Sequence, residues 1–348
     1  MAKPQSTSGE GQFIRRTLIV LGLVSLFLLA WYLRSLILML FGAIVVATVF
    51  RALADRIAKL TGIREGFSVA LSIIAILGTA GILAAVFGSA ILDQVQVLRT
   101  ALPAAWSSFE ARVGDIGLGE QLRQLSESIR TQSGTSAFSR FLLSLGSGLA
   151  DVLLVLVAGV FLAAQPRFYV AGALKLVPAG KRGLLGEAMD ESETALRLWL
   201  RGQLVAMVAV GLLVGLGLRA LGMPSALALG LLAGVLEFIP FAGPIIALIP
   251  AILLALAVSP DMALGVLLLY FAVQQFEGYV LTPLVQQYAV DLPGVVLLFS
   301  LLGFGMLFGT LGIILAAPLT VVAYVLVKRL WVIEALHTPT SIPGEKKR

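Results

Sequence analysis

Long apolar runs alternate with short polar punctuation along this chain. Apolar residues dominate 17–33, 35–50, 67–92, 146–164, 203–221, 225–258, 262–284 and 294–327. A membrane crossing needs roughly 20 mostly apolar residues, so about eight hydrophobic segments are predicted, all helical. The first two are nearly continuous around Arg34 and Ser35, which predicts a tight helical hairpin. Between the third and fourth, residues 93–145 carry apolar positions at three-to-four spacing, as in "DQVQVLRTALPAAWSSFEARV". That spacing predicts one or two amphipathic helices at the outer interface, for packing, oligomer contact or solute entry. Residues 181–201 place Glu187, Asp190, Glu191 and Glu193 first and Arg197 and Arg201 last. This order suits a helix macrodipole, and Trp199 reads as an interfacial anchor before the fifth segment.

The sixth and eighth segments depart from the pattern. Each is about 35 residues long, or roughly 52 Å as a straight helix, against a hydrocarbon core of about 30 Å. In the sixth, "EFIPFAGP" sets Glu237, Pro240, Gly243 and Pro244 inside an otherwise greasy run. Two prolines four residues apart should interrupt a helix, and unwound backbone at membrane depth must pack in protein or line a wet cavity. An offset of about 69 residues lays this text on the eighth segment. Pro224 then meets Pro293, Gly234 meets Gly303, Gly243 meets Gly312, and Pro250 falls one position from Pro318. With one crossing between them, the pair reads as an inverted repeat of re-entrant hairpins, tips near Pro240–Pro244 and Gly309–Gly312. Paired Gly/Pro-interrupted segments of this kind point to a transport site. Two long tilted helices satisfy the same parity.

Composition narrows the class to an all-α polytopic membrane protein: 59% hydrophobic, 13% charged, against roughly 25% charged in soluble proteins, with mean hydropathy +1.01. With no cysteine and His337 as the one histidine, disulfides, thiolate metal sites and Ser-His-Asp triads lack raw material. The net charge of +6 reads as positive-inside topology rather than nucleic-acid binding. Arg15 and Arg16, then Arg51 to Arg64, then Arg167 to Arg201, then Lys328 and Arg329 fall on one side if each of the first five segments crosses once. That side is assigned to the cytoplasm. The expected organisation is a disordered cytoplasmic lead (1–16), three membrane helices (17–92), and an external segment (93–145). A fourth membrane helix with a cytoplasmic amphipathic helix (146–202), a transport core (203–327) and a cytoplasmic tail (328–348) follow.

The most polar text at membrane depth is "VQQFEGYVLTPLVQQ", which holds Gln274, Gln275, Glu277, Thr282 and Pro283. A carboxylate at the bilayer centre costs about 2.5–3.5 kcal/mol on insertion scales and so faces protein or water. Gln274 and Glu277 share a helix face, and Pro283 frees a backbone carbonyl near Tyr279. These residues either bind or couple a solute or tie the helix to its neighbours. Glu237 either pairs with Glu277 to carry a proton or caps the backbone at the tip.

Four stretches resemble the autoinducer-2 exporter family of bacterial membrane proteins: "RGQLVAMVAVGLLVGLGLRALGMP", "LLAGVLEFIPFAGPIIALIP", "QQFEGYVLTPLV" and "LFGTLGIILAAPLTVV". They occur in order between residues 197 and 327. The resemblance implies a transporter linked to export of the quorum-sensing signal autoinducer-2, with sodium–proton antiport proposed for some members. Carried over by motif, the functional positions are Glu237, Pro240, Gly243, Pro244, Gln275, Glu277, Thr282, Pro283, Gly309, Gly312 and Pro318. The family often has Asn where this chain has Tyr279. The expectation is a multi-pass secondary transporter of a bacterial inner membrane, both termini cytoplasmic, moving a small polar solute outward with proton or sodium coupling. Homo-oligomers and lipid contacts are expected, with no cofactor, metal or nucleic acid. A cation–proton antiporter is the rival, and "GxxxxGK[ST]" occurs nowhere.

Overall fold

The computed structural model describes residues 8–86, 88, 149–283 and 292–340. Its elements are α1 (Ser8–Tyr32), α2 (Arg34–Thr61), α3 (Glu65–Val86), α4 (Leu149–Ala164), α5 (Pro166–Lys175), α6 (Arg182–Ala220), α7 (Ala226–Leu236), α8 (Ala242–Val258), α9 (Pro260–Phe276) and α10 (Gly294–Leu326). Among the described residues there is no strand. A π-helical turn, Glu277–Leu281, continues α9, and another, Val327–Ile333, continues α10. The protein is an all-α polytopic membrane protein. Six of its described helices are long and apolar enough to cross a bilayer, or seven if α4 and α5, bent by 91°, count as one. The expected external segment at 93–145 lies outside the described residues.

Two boundaries differ from the sequence expectation. The first helix begins at Ser8, so residues 8–16 are helical where composition predicts a disordered lead. The amphipathic helix at 181–201 and the fifth segment form one element, the 39-residue α6. At 1.5 Å per residue that is about 58 Å, well beyond a bilayer core. No proline or glycine pair separates the two stretches, so nothing stops the helix at Gly202.

This long helix organises the packing. Its second half buries Val210, Val214 and Leu218 against Leu229, Ala251, Leu254 and Val266 of α7, α8 and α9. Its first half buries Leu196, Trp199 and Leu200 with Leu38 of α2 and Leu315, Val321 and Val325 of α10. A third cluster joins Phe50 of α2, Val69 of α3 and Ala163 of α4. Trp199 is only 8% exposed. It is a core residue where the sequence reads as an interfacial anchor, because α2 and α10 cover it.

The α6–α7 contact explains the glycine spacing. Gly211 and Gly215 on α6 meet Gly230 and Gly234 on α7, and a Cβ on Gly234 would sit 2.6 Å from the Met207 carbonyl oxygen. Small residues at such spacing let two backbones approach in a medium without a hydrophobic driving force between helices.

Three arginines of the basic groups, Arg51, Arg197 and Arg329, form ion pairs between elements. Arg197 reaches Asp55 of α2 at 2.6 Å and Glu193 at 2.7 Å, and Arg51 pairs with Glu65 of α3. Arg51 Nε also donates to the Ala163 carbonyl at the end of α4 at 2.7 Å. Arg329, past α10, pairs with Glu187 and approaches Glu191 at 3.7 Å. Glu187 and Glu191 of α6 therefore face an arginine from beyond α10, and Glu193 one on its own helix.

Candidate functional site

The site is built around the break between α7 and α8. Hydrogen bonding at the end of α7 tightens to i−3, from Phe238 N to Val235 O and from Ile239 N to Leu236 O. Pro240 has no N–H to continue the ladder. The chain then closes a three-residue turn: Ala242 N–H donates to Pro240 O at 2.7 Å, with Phe241 between them at φ 64°, ψ −49°. That is a γ-turn of the rare, strained kind. Pro244 falls in the first turn of α8, where a missing N–H leaves no intrahelical bond unmade. A Cβ on Gly243 would fall inside the Leu236 carbonyl seven residues earlier. In a straight helix those residues are about 10 Å apart. The chain has doubled back here, and α7 and α8 pack against each other.

The second break lies inside α10. Gly309, at φ 67°, ψ −145°, occupies backbone space reserved essentially for glycine. A Cβ on Gly312 would collide with the Phe304 carbonyl, and one on Gly305 would lie 2.9 Å from Ile313. Contacts between residues eight apart require reversal, since a straight helix separates them by about 12 Å. The offset is finer than the sequence alignment implies. The positive-φ residues Phe241 and Gly309 are 68 positions apart, as are Pro250 and Pro318, whereas Gly243 and Gly312 are 69 apart. One residue is gained between the turn and the close-approach glycine. Phe238 from the first break and Phe308 and Leu311 from the second border one cluster around Trp199, with Phe238 edge-on to Trp199 at 5.8 Å.

Three polar side chains meet at the first break. Glu237 is 2% exposed, its carboxyl faces that of Glu277, and its Oε2 has no hydrogen-bond partner among the described residues. Glu277 is half-buried and accepts from Gln274 Nε2 at 2.7 Å. The backbone around Glu277 is itself irregular: Thr282 N–H donates to Glu277 O, a π-type bond one residue longer than the α-helical one. Pro283, which has no N–H for the Tyr279 carbonyl, follows immediately. Such π-turns recur at functional sites. Gln203 of α6 completes the arrangement. Its Nε2 donates to the Glu237 backbone carbonyl at 2.5 Å, satisfying one of the carbonyls left open at the end of α7.

The structure therefore joins Glu237, Glu277 and Gln274, with Thr282 supporting the turn. Gln275 is exposed, on a different face of α9 from Gln274, and Pro283 is exposed too. Pro240, Gly243 and Pro244 form the first break, and Gly309 and Gly312 the second. Pro318, carried over by motif and grouped with the gate and hairpin-tip positions, is buried within the second arm of α10, nine positions past Gly309. Its periodic match to Pro250 marks corresponding helix interiors, not tips. Sequence reasoning missed Gln203. An amide opening an apolar segment was the available signal, obscured by the neighbouring Arg201.

Comparison with known proteins agrees with this layout. The model of the family described as AI-2E family transporter matches residues 19–331. The transport-protein candidate YrrI of Bacillus subtilis (strain 168) is 34% identical over 151 residues, 43% of each chain. A transport-protein candidate of Thermotoga maritima is 33% identical over 134 residues, 38% of this chain and 41% of that protein. The AI-2 transport protein TqsA of Escherichia coli (strain K12) is 24% identical over 245 residues, 69% of this chain and 71% of TqsA. The matches to YrrI and the Thermotoga protein thus span less than half the length of those relatives. With the family model covering nearly the whole chain, helix breaks included, this multi-span membrane protein belongs to the AI-2E transporter family.

Proposed function

We propose that this protein is a secondary transporter that exports a small polar solute by alternating access, driven by proton movement through Glu237 and Glu277. One observation carries the reading. A fully buried carboxyl at a helix break faces a half-buried carboxyl on the next helix. Two facing carboxylates repel, and a proton held between them relieves the repulsion. Motion of either broken segment separates the pair and changes which carboxyl holds the proton. Glu277, nearer the surface, exchanges protons with water or solute, and Glu237 senses the state of the break. The inner membrane of a bacterium, with both termini cytoplasmic, fits the one-sided arginine groups.

The relative named as an AI-2 transport protein makes autoinducer-2 the first solute to test. Proteoliposomes of the full chain would be loaded with it and efflux followed under an imposed pH gradient. Glu277→Gln is expected to lower gradient-driven efflux about tenfold or more, with the fold intact. Undiminished efflux with unchanged dependence on the gradient would remove the pair from the mechanism. A second reading has its own support: Gln274, Glu277 and Glu237 present hard oxygen donors that suit a small cation. A cation–proton antiporter would show sodium-dependent proton flux in the same vesicles with no organic solute present.

A further inference from the structure

The short helix α5 contributes no residue to the three buried clusters or to the Glu237–Glu277 site. It leaves α4 at 91° across Gln165, with Pro166 as its first residue. Where α4 crosses a bilayer, α5 must run along its surface. It has no buried residue. Leu174 turns toward α6, where a Cβ on Gly186 would meet it at 3.8 Å. On a helical wheel Phe168, Gly172, Leu176 and Tyr169 fall within a sector of about 100° on the opposite side. In that sector Phe168 is 69% exposed and Leu176, just past the helix end, 88%. Lys175 borders the sector, Lys181 and Arg182 follow in the next turn, and Arg167 lies on the Leu174 side, where its charge acts on Glu65 of α3. No acidic residue occurs between Asp151 and Glu187.

We infer that α5 and the turn after it form an interfacial anchor that recruits anionic lipid. Phe168, Tyr169 and Leu176 insert at the boundary between headgroups and acyl chains, and Lys175, Lys181 and Arg182 engage lipid phosphates. An exposed aromatic and aliphatic stripe with basic residues along one border and no acid in its own segment suits a charged lipid surface better than water. Because the elements on either side of α5 pack into the core, the anchor fixes the height of α6 in the bilayer. The assignment does not depend on the Glu237–Glu277 pair.

The chain has no cysteine, so single-cysteine variants of the full-length protein can be spin-labelled directly. Phe168→Cys, Gly172→Cys and Leu176→Cys would be reconstituted in vesicles of phosphatidylcholine with one-quarter phosphatidylglycerol, with Leu174→Cys as the protein-packed reference. The three labels are expected to collide with oxygen, which dissolves in acyl chains, more than with a water-soluble nickel chelate. Each cation near an anionic surface is worth about fivefold in binding. The double variant Lys175→Gln, Lys181→Gln should therefore lower the enrichment of phosphatidylglycerol over phosphatidylcholine in lipid co-purified with the protein by about tenfold or more. Arg182 is left in place because it donates to the Val177 and Lys175 carbonyls and closes this turn. Labels that favour the nickel chelate would overturn the inference. So would spin–spin broadening between copies, which would put a second chain on this face, or enrichment unchanged in the double variant.

Discussion

The two helix breaks share a shape and differ in chemistry. Both reverse the chain, both set a glycine against the carbonyl of a residue seven or eight positions earlier, and both have a positive-φ residue at the turn. At the first break the positive-φ residue is Phe241, a buried carboxyl sits beside it, and an amide from α6 holds the backbone. At the second it is Gly309, and Phe304, Phe308 and Leu311 surround the turn. Duplicated geometry with unshared polar groups indicates that reversal is the common structural need. The chemistry was added, or kept, on one side only. In the proposed cycle the second break opens and closes a path, while the first also registers a proton.

If geometry is what the two share, removing the close-approach glycine should hurt them alike. Gly243→Val and Gly312→Val each drive a side chain into a backbone carbonyl that cannot move without opening the turn. Each is expected to lose about 3 kcal/mol or more of stability, read as unfolding of the purified protein in detergent against a denaturant series. A large loss at one site with tolerance at the other would end the equivalence. A smaller effect is expected at Gly309 alone. Gly309→Ala forces a Cβ into a glycine-only region for about 1–3 kcal/mol, measured in the same way.

The chemical difference is sharpened by Glu277→Gln, the flux test above, whose loss of about tenfold corresponds to about 1.4 kcal/mol in the transition state. No residue of the second break should reproduce its gradient-specific defect. Gln203→Leu is expected to cost about 1–2 kcal/mol, since a buried carbonyl loses its donor. It should also shift the solute concentration dependence of efflux by loosening the Glu237 backbone.

Most of the fold was legible because membrane helices announce themselves by length and hydropathy, and the breaks by proline and glycine in greasy text. Glu237 and Glu277 stood out individually as well, since each is a carboxylate where carboxylates are expensive, while the sequence left Glu237 open between pairing with Glu277 and capping the tip. Other features depended on tertiary packing. Trp199 reads as an anchor because tryptophan before an apolar segment usually is one, and only the arrival of α2 and α10 buries it. Gln203 offered only an amide at the start of an apolar segment, beside Arg201, and its role exists because α7 ends next to it. The one-residue slip between the breaks was invisible because the local glycine and proline matches support either register.

The smallest expected effect tests why the first turn holds a phenylalanine. At φ 64°, ψ −49° Phe241 is strained, and glycine would relax it by about 1 kcal/mol. Glycine also gives the unfolded chain more freedom, which offsets much of that gain. Phe241→Gly should therefore leave stability within about 1 kcal/mol of the parent. Its effect on flux is then informative. Phe241 is 48% exposed, so little packing is lost with its ring. If the strained turn is a spring that biases the break toward one state, relaxing it should change the efflux rate while leaving the denaturation midpoint in place. If the turn is passive, as Gly309 is in the second break, neither quantity should move. A change in midpoint larger than the change in rate would instead place the Phe241 ring among the contacts that hold the hairpin shut.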